Sequence, residues 1–521
     1  MHPVYVAGVG MTKFGKSSRS LVELLCEAAN DALETSPLQE VDAIYIGVMN
    51  PEEFTGESNI ASQVADGLGL TGLPALRVET ASSAGAAALH TAFQAVASGY
   101  HRHVLVLGGE KMTHLSTNET TRILAQVIDE QERRCGATMP ALAAMITERY
   151  RTEFRFSRSR LERMLCRVAV KNHLNGSCNP YAQFQKSISE ESYFSSKFVS
   201  TPLRLFDCSP ITDGSAAVLL TSERTDVLVS GIGQATGTLS LRERDSLTSF
   251  SATRAAASMA YQMAGISPKE IDFAEVHDAF TSFEIISTED LGFFPPGKGG
   301  LALEAGKTSP EGILPINPSG GLKARGHPVG ASGVAQVVEA VSRLRGNARP
   351  KARRDARRAL CQSTGGLGTN NFVTILERVD GSTPILSPNS APTYFQMGQR
   401  ISRHAAAQEP ASDEGHIETF TIVHITPEGY VPPLVLALIR DRNGSLLMAR
   451  GENTNHLKIG RKVYLRKVGD SYLFTVKNHW SFVTEAVTKL RSRMPFSLPH
   501  KPRVRLQEDL PSSGETLRSK T

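Results

Sequence analysis

Val78-Glu79-Thr80-Ala81-Ser82-Ser83-Ala84-Gly85-Ala86-Ala87-Ala88-Leu89 reads as the end of a strand, a tight elbow and a helix of small residues. A helix of alanine and glycine lets a partner helix or a substrate come close. Its first N–H groups have no partner inside the helix and face any charge set at its mouth. Such an elbow seats a nucleophile, yet the chain has no cysteine between Cys26 and Cys135, so the elbow offers Ser82 and Ser83.

Outward from the elbow, strand and helix patterns alternate. Strands are predicted over 3–9, 41–48, 75–79 and 103–107, with helices over 20–34, 60–68 and 82–97. Strands separated by helices imply a mainly parallel sheet covered on both faces. Residues 110–205 break the rhythm with polar and aromatic sequence and are expected to form a lid or binding loop; a strand then follows Thr212-Asp213-Gly214. From Asp226 the pattern starts again, with strands over 227–232, 271–276 and 313–317, helices over 252–264, 279–291 and 329–345, and closing strands over 359–377. The chain reads as a duplicated half-domain. Two-fold symmetry would bring together the elbow at Ser82 and the turn Gly326-His327-Pro328, each at the start of its half's third helix.

That turn, in Gly326-His-Pro-Val-Gly-Ala-Ser-Gly333, leaves a histidine at a helix mouth with proline at the first helical position. The positive end of the helix lowers the imidazole pKa, making His327 a neutral base or hydrogen-bond donor near pH 7. His277-Asp278-Ala279-Phe280 occupies the matching junction one unit earlier, where Asp278 also suits a helix cap. The ends of neighbouring strands in an open α/β sheet are where ligands bind. At a third junction, Asn317-Pro318-Ser319-Gly320-Gly321, a glycine turn can bring backbone close to a substrate.

The 521 residues suffice for two or three domains. The first residues lack the basic and apolar pattern of a signal peptide, and no apolar run is long enough for a membrane span, so a cytoplasmic protein is expected. Six scattered cysteines form no C-x-x-C pair; they argue against a zinc ribbon or a disulfide framework, and no metal site is expected. The net charge of +5 is modest. Basic clusters at 349–358 and after Lys489 read as solvated surface, with the phosphates of coenzyme A as the sharper alternative. The expected organisation is a first half over 1–225 with residues 110–205 inserted, a second half over 226–380, a Pro- and Ser-rich linker over 381–414, a small β-barrel over 415–480, and a helix with a basic tail over 481–521. The barrel rests on five short strands and an Asn443-Gly444 hairpin turn.

Together these features resemble the thiolase superfamily, specifically its sterol-carrier-protein-type branch, over residues 3–378. The resemblance is carried by Gly8-Val-Gly-Met-Thr-Lys-Phe-Gly15, Gly109-Glu-Lys-Met-Thr113, Lys171-Asn-His, Asn179-Pro, Asp213-Gly-Ser-Ala-Ala and the three junctions above. It implies layered α-β-α-β-α architecture, a homodimer, an acyl-CoA substrate with coenzyme A as part of it, no separate cofactor, and carbon-carbon bond chemistry. It maps the nucleophilic cysteine of the family onto Ser82, the His-Pro histidine onto His327, and the second site histidine onto His277. Ser83, Asn317, Gly320, Gly321 and Gly366 are the candidate substrate-binding positions. In the register set by Gly365-Gly366-Leu367-Gly368, Gln362 rather than Cys361 stands where the family has a second cysteine. The barrel resembles the OB-fold protein that accompanies many thiolases, without its four-cysteine zinc ribbon, which leaves a scaffold role toward a further enzyme partner. A nucleic-acid role is disfavoured by the absence of an aromatic, strongly basic face. Three functions follow from this reading: aldol-type cleavage without a cysteine nucleophile, acetyltransferase-like acyl transfer through Ser82, or a non-catalytic acyl-CoA-binding subunit.

Overall fold

The computed structural model describes residues 1–348, 356–380, 413–469 and 471–476; residues 381–412 of the expected linker over 381–414, and the expected helix and tail over 481–521, lie outside them. The first half runs β1 (Tyr5–Met11), α1 (Leu21–Glu34), β2 (Ala43–Gly47), α2 (Ile60–Gly67), β3 (Ala75–Val78), α3 (Ala84–Ala97) and β4 (His103–Glu110). The insertion follows, with α4 (Met139–Glu153), α5 (Arg158–Ser177), β5 (Phe198–Ser200) and β6 (Leu203–Arg204), and the chain returns through β7 (Gly214–Thr221). Local chemistry sets these limits. At α1, for example, the Ser20 hydroxyl accepts the N–H of Glu23 while the Glu23 carboxylate accepts the N–H of Ser20, and Leu21, Leu24, Leu25, Ala28 and Ala32 then bury one face.

The second half repeats the order with β8 (Val227–Thr236), α6 (Ser251–Ala264), β9 (Phe273–Glu275), α7 (Thr281–Asp290), α8 (Ser332–Leu344), β10 (Arg358–Gly365) and β11 (Asn370–Arg378). Strand order across the sheet is β3-β2-β4-β7-β1 and then β8-β11-β10-β9. β2 lies parallel to β3 and β4, and β7 runs antiparallel to β4 and β1; in the same way β9 is parallel to β10, and β11 is antiparallel to β10 and β8. The two halves therefore share one topology, the duplication expected from the sequence, and β1 meets β8 at the single pair Tyr5–Leu228. The expected strand over 313–317 is reduced to one parallel bridge between Ala274 and Ile316. Pro315 and Pro318 offer no N–H to a ladder, and Asn317 turns the chain at φ 52°.

Helices α3 and α8 lie together at the centre, where Leu89, Phe93, Val334, Val337 and Val341 share one core with Val6, Val106, Val218 and Val229 of the sheet. Their starts approach closely because the contact residues are small: a Cβ at Gly85 would stand 2.4 Å from the Gly330 carbonyl oxygen, and one at Gly333 would stand 2.6 Å from the Ala86 nitrogen. Gly85→Val is therefore expected to destabilise the fold by about 1–3 kcal/mol through overpacking, read as a lower urea midpoint at unchanged slope.

The insertion is largely helical rather than a lid of irregular chain. α4 buries Leu142, Met145, Ile146 and Tyr150 but also Ala141, Ala143, Ala144, Thr147 and Glu148, so it is covered on several sides. Such a helix carries no one-sided apolar period for a sequence reading to detect. The C-terminal strands are β12 (Glu414–Val423), β13 (Leu434–Asp441), β14 (Leu446–Gly451), β15 (Lys462–Val468) and β16 (Ser471–Val476), all near their predicted positions, and Val423, Leu434, Leu436, Leu438 and Met448 of the first three join the core that covers α4. They are ordered β13-β14-β16-β15-β12, and pairing of β12 with β13 closes a five-stranded barrel. The barrel is joined to the insertion. Val423 pairs with Ser200 of β5, the Thr419 hydroxyl donates to the Met145 carbonyl at 2.7 Å, and Arg149 meets Glu418 at 3.0 Å. Among the described residues no helix is long and apolar enough to cross a membrane.

Candidate active site

The elbow closes through its own polar groups. Ala81 holds φ at 56°, an uncommon conformation for a residue with a side chain, and its N–H donates to the Glu79 carboxylate. The Ser83 hydroxyl donates to the Thr80 carbonyl at 2.7 Å and lies 2.9 Å from the Thr80 hydroxyl, so it is spent on the turn. Ser82, half-buried, stands immediately before it at the mouth of α3. The hairpin between β10 and β11 presses on the elbow, since a Cβ at Gly365 would lie 2.0 Å from the Thr80 carbonyl oxygen; Gly366, at φ 64°, makes the hairpin turn.

His327 and His277 come together, with ring centroids 5.1 Å apart and planes at 87°. Their hydrogen bonds give the two rings opposite polarity. The Ser332 hydroxyl donates to the Pro328 carbonyl at 2.9 Å and lies 2.7 Å from His327 Nδ1. With its proton so placed, Ser332 accepts from Nδ1–H, and Nε2 of His327 keeps a lone pair. His277 Nδ1 instead accepts the Thr364 N–H at 3.3 Å, which leaves the proton on Nε2. One ring thus presents a base and the other a donor. Backbone bonds hold both rings in place: the His327 N–H donates to the Thr212 hydroxyl at 3.0 Å and the His277 N–H to Gln362 Oε1 at 2.8 Å.

Both imidazoles are neutral at physiological pH. Burial, aided by the neighbouring Arg325 guanidinium, lowers the pKa of His327 to about 3. His277 is held well below the ordinary histidine value by burial first, then by His327 and Arg325. Arg325 is itself fully buried, in a layer with Glu275 and Glu339; Glu275 accepts the N–H and hydroxyl of Ser319 at 3.0 and 2.6 Å.

The third junction braces these groups from behind. Asn317 accepts the Val276 N–H at 2.8 Å and donates to Glu284 at 2.9 Å, which commits its amide to the frame. Gly320 (φ 103°) and Gly321 (φ 59°) allow close approach, because a Cβ would stand 2.7 Å from Gly176 Cα at the first and 2.4 Å from the Asp278 carboxylate at the second. Lys171 and Asn172 of α5 complete the brace. Lys171 pairs with Glu284 at 2.9 Å, and Asn172 Nδ2 donates to Asp278 and Glu284 at 2.7 Å each. Burial and the Glu284 charge raise the Asp278 carboxyl to about 7.

Sequence reasoning singled out both histidines, and Gln362 beside them, but not Ser332 and Thr364, the groups that set the two tautomers. Ser332 lies inside the quoted motif five residues after His327, and that spacing was its one available signal. Cys361 points its thiol at the Gln336 carbonyl, 3.4 Å away, on the opposite face of β10 from Gln362, and burial raises its pKa well above the usual value. Among the described residues no group of three or more His, Cys, Asp or Glu could hold a metal ion.

Two abutting half-domains, with a serine elbow at the central helix of the first and a pair of histidines, His277 and His327, contributed by the second, define an α/β enzyme-like scaffold of the thiolase kind. The chain matches the family models for "Thiolase, N-terminal domain" over residues 4–224 and "Thiolase C-terminal domain-like" over 233–378, and it belongs to the thiolase family. The acetyl-CoA acetyltransferase of Methanothermobacter thermautotrophicus is 42% identical over 388 residues, 73% of this chain and 100% of that one. Sterol carrier protein 2 of Oryctolagus cuniculus is 31% identical, with 71% of each chain covered. Among solved structures, a monomeric SCP2-thiolase-like protein type 1 from Mycobacterium smegmatis has a TM-score of 0.70 at 19% identity, covering 91% of this chain and 99% of that one. The Ltp2-ChsH2(DUF35) aldolase has a TM-score of 0.62 at 24% identity, covering 72% and 98%. At these identities the structural likenesses establish the fold alone.

Proposed function

We propose that this thiolase-family enzyme breaks or makes a carbon-carbon bond in an acyl-CoA without a covalent cysteine intermediate, with aldol-type cleavage of a β-hydroxyacyl-CoA as its reaction. The observation that carries this reading is the opposed polarity of the two neutral histidines beside an elbow that bears serine. In the cleavage direction His327 Nε2 takes the β-hydroxyl proton. The Cα–Cβ bond breaks, its electron pair forms the enolate of the thioester, and an aldehyde or ketone departs. The developing oxyanion accepts a hydrogen bond from His277 Nε2–H, and the enolate is then protonated at Cα. Donors fixed in a water-poor site are worth several kcal/mol to such a charge.

The second reading is acyl transfer through Ser82, favoured by the name of the acetyltransferase relative. Serine is the weaker candidate, because its hydroxyl has no accessible anion and returning an acyl group from an oxygen ester to a thiol is uphill. Purified protein assayed with panels of β-hydroxyacyl-CoA and β-ketoacyl-CoA separates the readings. We expect cleavage of the first to be retained by Ser82→Ala; thiolysis lost in that variant establishes acyl transfer, and coenzyme A binding without any turnover establishes a binding subunit. In the proposed assembly the thiolase halves form a homodimer in the cytoplasm, and the barrel is an OB-fold that docks a further enzyme.

A further inference from the structure

Glu110, at the end of β4, has no part in the chemistry above, yet it is completely buried where the two halves meet. Its Oε2 accepts the N–H of Met49 at 2.9 Å and the N–H of Gly330 at 3.1 Å. Its Oε1 is buried with no hydrogen-bond partner among the described residues. Met49 lies just beyond β2, whose Gly47 presses on the start of α3: a Cβ there would stand 2.4 Å from the Ala84 carbonyl oxygen. Gly330 lies three residues after His327 and is confined as tightly, since its Cβ would stand 2.4 Å from the Gly109 carbonyl oxygen and 3.0 Å from Glu110 Oε2. One carboxyl oxygen therefore ties the support of the elbow helix to the His327 turn.

The surroundings are suited to an uncharged group. Arg77 of β3 directs its guanidinium to the carbonyls of Val48 and Met49, at 3.3 and 3.1 Å, and to Glu52. Lys111, the next residue, is held by Asp213 at 2.6 Å and by the Ser17 carbonyl. His327 is neutral. An ionised carboxylate here would bury a charge beside an idle oxygen, and burial raises the carboxyl to about 8 against the pull of the Met49, Asn50 and Gly330 N–H groups and of Arg77.

We infer that Glu110 is a neutral, proton-bearing positioning residue that locks the His327 turn to the elbow and whose ionisation sets an alkaline limit on activity. This rests on His327 being the base, but two arms of its test need no turnover. The infrared difference between the full chain and Glu110→Gln should contain a protonated-carboxyl band at pH 7 that disappears with a midpoint near 8. Nitrogen-15 signals of the His327 ring should be preserved in Glu110→Gln, whose amide oxygen accepts the same two N–H groups, and displaced in Glu110→Ala. With a substrate in hand, Glu110→Ala should lower kcat by about 10- to 100-fold with little change in KM. Glu110→Gln should stay within about twofold and lose the decline above pH 8, as expected when only neutral geometry matters. Absence of the band at pH 7, a Gln variant as damaged as Ala, or His327 signals unmoved by Glu110→Ala each overturns the inference. If Ala does not fold, the band and the Gln variant decide. If no acyl-CoA is turned over, the spectroscopic arms still decide, and it is the catalytic reading that falls.

Discussion

His327→Ala is expected to lower kcat by about 10³-fold or more with any acyl-CoA the enzyme turns over, the scale on which a positioned general base acts. The loss should be this large because, among the described residues, His277 is the ring paired with His327 and it presents a proton rather than a lone pair. The Ser332 hydroxyl consumes Nδ1–H, Nε2 is left as acceptor, and His277, 5.1 Å away, presents a proton instead. Ser332→Ala should cost less, since the ring remains and only its tautomer is freed. The pH dependence carries the sign of the perturbation. A lowered pKa means that His327 gives up its proton at lower pH than a solvent-exposed histidine. With a value of about 3 it is already a base throughout pH 5–8. The acid limb of kcat/KM should therefore be absent near 6.5, where an ordinary histidine would place it. A limb at 6.5 that vanishes in His327→Ala would show that the ring is solvated in the working enzyme and would remove the burial argument.

The same residues show which parts of this protein a reader of the sequence can recover. The duplicated fold was legible because strands buried on two faces and helices with one apolar face leave distinct periods, and because glycines cluster where α3 and α8 meet. The histidines were legible because His277 follows a strand and precedes a helix, while His327 sits in a Gly-His-Pro turn ahead of a helix; Asp278, which suits a cap for the helix after it, instead accepts the Leu322 N–H. The polarity of the pair was not, since it depends on Thr364 and Ser332, and Thr364 approaches His277 from 87 residues away in sequence. Asn317 and Gly321 read as substrate-facing because the turn chemistry is the same whether the backbone approaches a ligand or a neighbouring carboxylate. In the fold Gly321 makes room for Asp278, and the Asn317 amide holds Val276 and Glu284. The helices of the insertion escaped notice for a related reason: α4 is enclosed by α5, α7 and the barrel, so partners distant in sequence determine its burial.

Ser82→Cys is expected to raise thiolysis of a β-ketoacyl-CoA by about 10²-fold or more over the native chain, a gain set by the difference between a hydroxyl and a thiol nucleophile. The elbow needs little rearrangement to use it. Ala81 already holds the left-handed conformation just before residue 82, and Ser83 already closes the turn. A thiol has a pKa of about 8.5, so a few per cent is thiolate at neutral pH, and a helix N-terminus lowers the value further. His327 Nε2 can take the remaining proton, and the acyl group then rests on sulfur, from which transfer to coenzyme A is nearly thermoneutral. Cleavage of a β-hydroxyacyl-CoA should change little in the same variant, because no step of it passes through residue 82. Mass spectrometry of Ser82→Cys incubated with substrate should find an acyl adduct on the introduced thiol and none on Ser82 of the native chain. An adduct on native Ser82 would establish acyl transfer as the reaction. An introduced thiol that is acylated but does not turn over would place the missing element at Gln362, where a second thiol would be required to return the proton.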